Sequence, residues 1–440
     1  MRVRFLPRLP LRTAAVASVA ACTVLLTTAP ASAEFDTKPA EPEDQYPCEP
    51  PADNGDPLSA RAWATDFIGI DDAHQYNRGT FEDGSPVTIA VIDSGVQDLD
   101  IFEDRLLDGF DPWDPDSDGK CDAYHHGTGV AAIAAGGADG DQFIGVAPEA
   151  NILSLRAFES DEGGDGNKSK MVGSLINDAV SNGADVINVS IALPHTTELQ
   201  QAVQNAIAND VVIVAATGNE NLNMDDESLT GDDAQFFPAN YPEVIAVGAN
   251  NPSGNFYNQT NFGENMDLLA PGEQVTFPYA GGGWTNKSGT SYAAPYVSGA
   301  AALLKGEFGA DRTPAWIEQR LRETAIHPPN EFNIYQGYGV LNLSRAMTYP
   351  IDEEGAGDPS ESPSPTEFRT GDPLVEAIEV GYDPLETEKT IAWGSVVGVA
   401  VLITLVLVLR KIIPKGRQRG WKPGTRKDDN LPAKTGTDTA

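Results

Sequence analysis

The chain has 440 residues and carries 29 Lys and Arg against 65 Asp and Glu, a formal net charge of −36. That length accommodates one large domain with appendages, or two domains. A surface this acidic repels phosphate backbones, which excludes a DNA- or RNA-binding role.

The first segment, 1–33, has Arg2, Arg4, Arg8 and Arg12, an apolar run from Ala14 to Leu26, and then Ala31-Ser-Ala33. This is the pattern of a secretory leader cut after Ala33. Val19-Ala-Ala-Cys22 has the look of a lipoprotein cleavage box, but the apolar run continues past Cys22. Residues 34–62 are rich in Pro, Asp and Glu with little to bury, and read as an extended arm. Residues 63–349 have the composition of a globular domain. Within it Val87–Ile92, Asn151–Leu155, Asp185–Val189, Val211–Val214 and Val244–Val247 are near-continuous apolar runs, as in buried parallel strands. Helical stretches such as Gly173–Asn182 and Glu198–Asn209 alternate with them. The alternation predicts a doubly wound, mostly parallel α/β sheet with helices on both faces.

Residues 350–390 turn to Asp, Glu, Ser and Pro, an acidic linker. Ile391 to Leu409 is a run of 19 residues without a charge, enough to cross a bilayer as one helix. Residues 410–440 hold nine of the basic residues and form a tail expected on the cytoplasmic side. The chain therefore reads as a single-pass membrane protein of type I orientation with its domain outside the cell. With four basic residues in the leader, and nine basic and three acidic in the tail, the segment 34–390 keeps 16 basic against 62 acidic residues. Solubility in the extracellular medium, a salt-rich habitat and loosely bound cations would each account for that excess. Cys22 leaves with the leader, so Cys48 and Cys121 remain as an even pair in an oxidising compartment. One disulfide between them is expected, pinning the arm to the loop before His126; the alternatives are free thiols or pairing with another chain.

Four residues stand out for chemistry. Ser291 lies in Ser288-Gly-Thr-Ser-Tyr-Ala-Ala-Pro295, at the mouth of an apolar helix. By itself that is equally a helix cap or a nucleophile, with Pro295 suited to a first turn. Asp93 follows a strand in Val91-Ile-Asp-Ser-Gly95, and carboxyl ends of parallel strands are where catalytic groups gather. His126 opens a small-residue helix, and Asn219 lies just past the strand Val211–Val214. A serine needs an imidazole to accept its proton, and the imidazole needs a carboxylate to fix its tautomer. The tetrahedral intermediate needs donors aimed at its oxyanion, which the Asn219 amide and the Ser291 backbone N–H supply. The order Asp, His, Asn, Ser also sets aside an α/β-hydrolase, which runs Ser, Asp or Glu, His. His327, the only histidine after Ser291, reads as part of a surface turn.

The motifs around these residues resemble those of the subtilisin-like serine proteases. Val-Ile-Asp-Ser-Gly, His126-Gly-Thr-x-Val-Ala131, Gly145-Val-Ala-Pro148, Ala216-x-Gly-Asn-Glu220, Phe237–Gly248, Leu269-Ala-Pro-Gly272 and Gly289-Thr-Ser-x-Ala-Ala-Pro295 follow in family order. The resemblance implies Asp93, His126 and Ser291 as a catalytic triad, Asn219 as oxyanion donor, protein substrates and no cofactor or metal. It also implies that Ser190-Ile191-Ala192 receives the substrate backbone by strand addition. Gly129 departs from a second histidine common in the family, and Ala192 from a glycine. The appendages, with Gly420-Trp-Lys-Pro-Gly424 in the tail, resemble the mycosins, membrane-anchored proteases associated with type VII secretion. That resemblance implies an arm that wraps the domain and stays attached, and partnership with a membrane secretion complex. A structural role, capping or stabilising such a complex with proteolysis secondary, is the alternative. Asp114-Pro-Asp-Ser-Asp-Gly119 opens like a Ca²⁺ loop, but His125 stands where the bidentate Glu belongs, so a solvated acidic loop is expected. Leu431-Pro-Ala-Lys-Thr-Gly436 approximates a sortase signal without an apolar segment after it and is set aside.

Overall fold

The computed structural model describes residues 55–350 apart from 59, 123, 138–141 and 159–164, together with positions 410, 413, 414, 417 and 420. Two compact units divide the chain, Met1–Ser360 and Glu361–Ala440. In the second, Arg410, Ile413, Pro414 and Arg417 are helical and exposed. Among the described residues no helix is long and apolar enough to cross a membrane. The expected leader, Cys48, all but the first residue of the linker, and the span 391–409 lie outside them.

The strands of the first unit are β1 (Thr88–Asp93), β2 (Leu106–Phe110), β3 (Asn151–Arg156), β4 (Val186–Val189), β5 (Val212–Ala216), β6 (Ile245–Asn250), β7 (Leu268–Pro271), β8 (Val275–Pro278) and β9 (Trp284–Lys287). Its helices are α1 (Trp63–Phe67), α2 (Ile70–Ala73), α3 (Gly127–Ala135), α4 (Gly166–Ser181), α5 (Thr197–Ala208), α6 (Thr290–Phe308), α7 (Pro314–Thr324) and α8 (Leu343–Thr348). Seven strands form one sheet in the order β2-β3-β1-β4-β5-β6-β7, every pair parallel. β8 and β9 pair separately as an antiparallel ribbon. From β1 the chain goes out to the edge strand β2, returns to β3 between the two, then crosses to β4 beside β1 and continues outward on the other side. The carboxyl ends of β1 and β4 therefore flank the switch point, where open α/β sheets bind their ligands.

Alternation along the strands separates two cores. Ile89 and Val91 of β1 and Val212 and Val214 of β5 face α3 and α6. Ala90, Ile92, Ile213 and Ala215 face α4 and α5, through Val172, Leu175, Leu199 and Val203. The inner strands β1, β3, β4, β5 and β6 are covered on both sides, which is why these segments read as continuous runs. α6 is buried from Thr290 to Gly306 save Ser291, and a helix apolar all round belongs inside. Asp165 and Thr196 cap α4 and α5 through their side chains. The end of the arm is tied in as well: Asp56 and Trp284 exchange backbone hydrogen bonds of 2.8 Å, adding a bridge to the free side of β9.

Candidate active site

Asp93 is the last residue of β1, His126 caps α3, Asn219 lies three residues beyond β5, and Ser291 is the second residue of α6. The cap of α6 is Gly289, so Ser291 does not serve as one, and Pro295 sits sixth in the helix rather than in its first turn. Backbone crowding brings the first two residues together. A Cβ at Gly127 would stand 2.1 Å from the Gly95 carbonyl oxygen, and one at Gly95 would stand 1.7 Å from that of Cys121. With Gly95 also at φ 94°, glycine alone lets the turn after β1 lie against the start of α3. The outcome is a 2.7 Å hydrogen bond from His126 Nδ1 to Asp93 Oδ1. That carboxylate oxygen also accepts the Ser94 N–H at 2.7 Å, and Asp93 is fully buried.

Ser291 is joined to the imidazole through its neighbour. The Tyr292 ring lies 5.0 Å from the His126 ring and stacks on Phe277 at 4.7 Å. Asn219 is joined from the other side: its Oδ1 accepts the Thr290 N–H at 2.8 Å and the Thr290 hydroxyl at 3.2 Å. With its carbonyl end held by Thr290, the residue before Ser291, the exposed Asn219 amide has its NH₂ end as its donor. Ser190 is buried, and its hydroxyl donates to the Ser291 carbonyl at 2.8 Å. Its side chain thus faces the helix, while the non-strand segment 190–192 runs on to pair with Phe237 at Leu193.

Burial would favour the neutral form of His126, but the charge and hydrogen bond of Asp93, with the more distant Asp122, outweigh it and raise its pKa above 6.5. Burial first, then Asp93, pushes the Tyr292 phenol well above its ordinary range, so it stays neutral.

Several residues at the site carry no sequence signal of their own. Asp122 is buried and accepts from Ser94 Oγ at 2.7 Å, from the Thr128 N–H at 2.8 Å and from Thr128 Oγ1 at 2.5 Å. Ser94 Oγ in turn accepts the Gly127 N–H at 3.0 Å, locking the β1 turn to the first turn of α3. Asn261, fully buried, holds the Asn219 loop by accepting from the Glu220 and Leu222 N–H groups and donating to the Thr217 carbonyl. Thr290 was visible only as part of its motif.

The Subtilase family model matches residues 84–339. The chain belongs to the subtilase family. Among curated relatives, the thermophilic serine proteinase of Bacillus sp. (strain AK1) is 37% identical over 267 residues, covering 59% of this chain and 61% of the relative. The chain thus spans about three fifths of that relative's length. Among solved structures, the serine protease MycP1, described as an essential component of the type VII (ESX-1) secretion system, is 30% identical with a TM-score of 0.57. The match covers 70% of this chain and 98% of MycP1. MycP3 protease from the type VII (ESX-3) secretion system is 28% identical, with a TM-score of 0.58 over 67% of this chain and 90% of that one. Within its family this subtilase is of the mycosin type.

Both departures from the family motifs have a place in the packing of this subtilase. A Cβ at Gly129 would meet the Phe277 ring at 2.5 Å, so a histidine there would displace the ring that stacks on Tyr292. A Cβ at Gly218 would stand 3.3 Å from the Ala192 methyl, so that methyl borders the Asn219 loop. Cys121 is fully buried and disulfide-bonded, and its partner lies outside the described residues. At the acidic loop, Asp111 organises the turn. It accepts the Trp113 and Asp114 N–H groups through Oδ1 and pairs through Oδ2 with the fully buried Arg156 at 2.8 Å. His327 is exposed, bonded to the Tyr338 carbonyl at 2.8 Å.

Proposed function

We propose that this subtilase is a serine endopeptidase acting outside the cell on protein substrates, through Ser291, His126 and Asp93. The observation that carries this is the 2.7 Å bond between His126 and Asp93, with Ser291 beginning the helix whose Tyr292 packs against the same imidazole. Ser291 Oγ attacks the scissile carbonyl while His126 Nε2 takes its proton, and Asp93 stabilises the imidazolium. The negative charge on the carbonyl oxygen is met by Asn219 Nδ2 and by the Ser291 N–H at the α6 N-terminus. Collapse expels the amine, protonated by His126, and leaves an acyl-enzyme that water hydrolyses by the reverse roles. The segment Ser190-Ile191-Ala192 beyond β4 takes the substrate backbone, as strand addition requires.

The leader 1–33 exports the chain, the span 391–409 tethers it, and a Cys48–Cys121 disulfide holds the arm on the domain. Likeness to MycP1 and MycP3 supports work alongside a type VII secretion system. Because MycP1 is described as an essential component of such a system, a second role, stabilising the secretion complex, accompanies the first. A fluorophosphonate probe should label wild type and not Ser291→Ala; absence of wild-type labelling sinks the peptidase assignment. Secretion that survives Ser291→Ala but fails on deletion would make the structural role the essential one.

A further inference from the structure

We infer that the Ser190 hydroxyl is a positioning group for Ser291, holding the carbonyl of the nucleophile's own residue through a buried relay that reaches Ser298. The inference rests on Ser291 being the nucleophile. In an α-helix the N–H of residue 295 would bond the carbonyl of residue 291. Pro295 has no N–H, so the Ser291 carbonyl loses its helical partner. A partly buried carbonyl is stabilised by another donor. Ser190 Oγ supplies it at 2.8 Å.

The relay continues inward. Ser190 Oγ accepts from Asn188 Nδ2 at 2.9 Å, and Asn188 Oδ1 accepts from Ser298 Oγ at 2.8 Å. Asn188 and Ser298 are fully buried and Ser190 is 4% exposed, so water does not compete for these bonds. Ser298 Oγ also lies 3.3 Å from the Ala294 carbonyl, a longer contact that leaves Asn188 the nearer acceptor.

The spacing gives the relay its mechanical meaning. Asn188 and Ser190 are two apart at the end of β4 and share one side of the chain. Ser291 and Ser298 are seven apart on α6, about two turns, and share one helix face. Asn188 in β4 and Ser190 just past its end thus clamp two points on the helix, opposing both rotation of α6 and sliding along its axis. Either motion would carry Ser291 Oγ away from His126. Ser190 also begins the segment assigned to substrate backbone, so the nucleophile is referenced to the strand that presents the peptide. Loss of the clamp should therefore act on rate rather than on substrate affinity.

The test compares phosphonylation by a fluorophosphonate probe with peptide hydrolysis in the full chain. In phosphonylation the Ser291 Oγ–P bond forms, fluoride leaves and the serine proton passes to His126. Ser190→Ala should lower the labelling rate constant and kcat by about 10-fold, with KM nearly unchanged, because small displacements of a reacting group are costly. The acid limb of the pH profile should not move, since the partners of His126 are untouched. Ser298→Ala, one link further away, should lower both rates by about 3-fold and serves if Ser190→Ala does not fold. Adding Pro295→Ala to Ser190→Ala should recover part of the rate, because the new N–H can donate to the Ser291 carbonyl. Wild-type rates in Ser298→Ala or in folded Ser190→Ala, or no recovery in the double variant, overturn the inference. Failure of wild type itself to label would instead overturn the nucleophile assignment.

Discussion

At His126, burial and charge pull in opposite directions, and the outcome sets the working pH of the site. The ring must be neutral to accept the Ser291 proton, and its pKa is raised above 6.5 by Asp93 and Asp122 against burial. Activity should therefore fall on the acid side with a midpoint above 6.5, as read from kcat/KM. Asp122→Asn keeps the shape but removes a negative charge, so that midpoint should move to lower pH; an unmoved midpoint would remove Asp122 from the electrostatics. Tyr292 also adjoins the ring, but burial pushes its phenol up, so it stays uncharged in this range. Asn219→Ala should lower kcat by about 10²–10³-fold, roughly 3–4 kcal/mol, with little change in KM, because the donor acts on charge that develops only in the transition state. The four candidate residues were legible because each sits in a short motif at the end of an element. Asp122 and Asn261 were not, because they act through hydrogen bonds to residues distant in sequence, and an isolated Asp or Asn in a loop has no periodicity to announce it.

Among the elements, the strands nearest the centre of the sheet were the readable ones. β1, β3, β4, β5 and β6 are buried on both faces, so their sequences are continuous apolar runs. β2 lies at the sheet edge with alternating burial and contains Asp108 and Gly109, which hid it. β7 is four residues long and closes on Pro271, admissible only at an edge. α6 was legible as a buried helix, but its start was misplaced because the chain enters it at Thr290 without a side-chain cap. α7 carries a charge cluster with a measurable consequence. Arg322 is shared by Asp267 at the entry to β7 and by Glu318 one turn back. Burial above all, then Asp267 and Glu243, pushes Glu318 up to about 7 against the pull of Arg322. Folded protein then binds more protons at Glu318 than the unfolded chain, whose glutamate titrates near 4.5. The stability contributed by this group is full below about pH 4.5 and is lost as pH rises toward 7. Glu318→Gln should flatten that part of the Tm-against-pH curve; an unchanged slope would refute the assignment. Asp111→Ala strands the buried Arg156 and should cost about 3–5 kcal/mol in denaturant unfolding.

For the whole molecule, the proposed location rests on the appendages and the proposed chemistry on the domain. A chain ending at residue 350 should appear in the soluble extracytoplasmic fraction, whereas the full chain sediments with membranes; co-sedimentation of the truncated form would refute anchoring by 391–409 alone. The sequence by itself determined the layered α/β class, the acidic balance of the chain and the family motifs that contain Asp93, His126, Asn219 and Ser291. Apolar periodicity and short motifs are local, and local patterns survive in one dimension. Only the tertiary structure decided what holds those residues in place. Glycines at 95 and 127 let two backbones touch, Phe277 fills the space above Gly129, and the Ser190 hydroxyl just past β4 answers the carbonyl that Pro295 leaves open. Each of these joins residues tens of positions apart, and close packing between distant segments has no local signature to read.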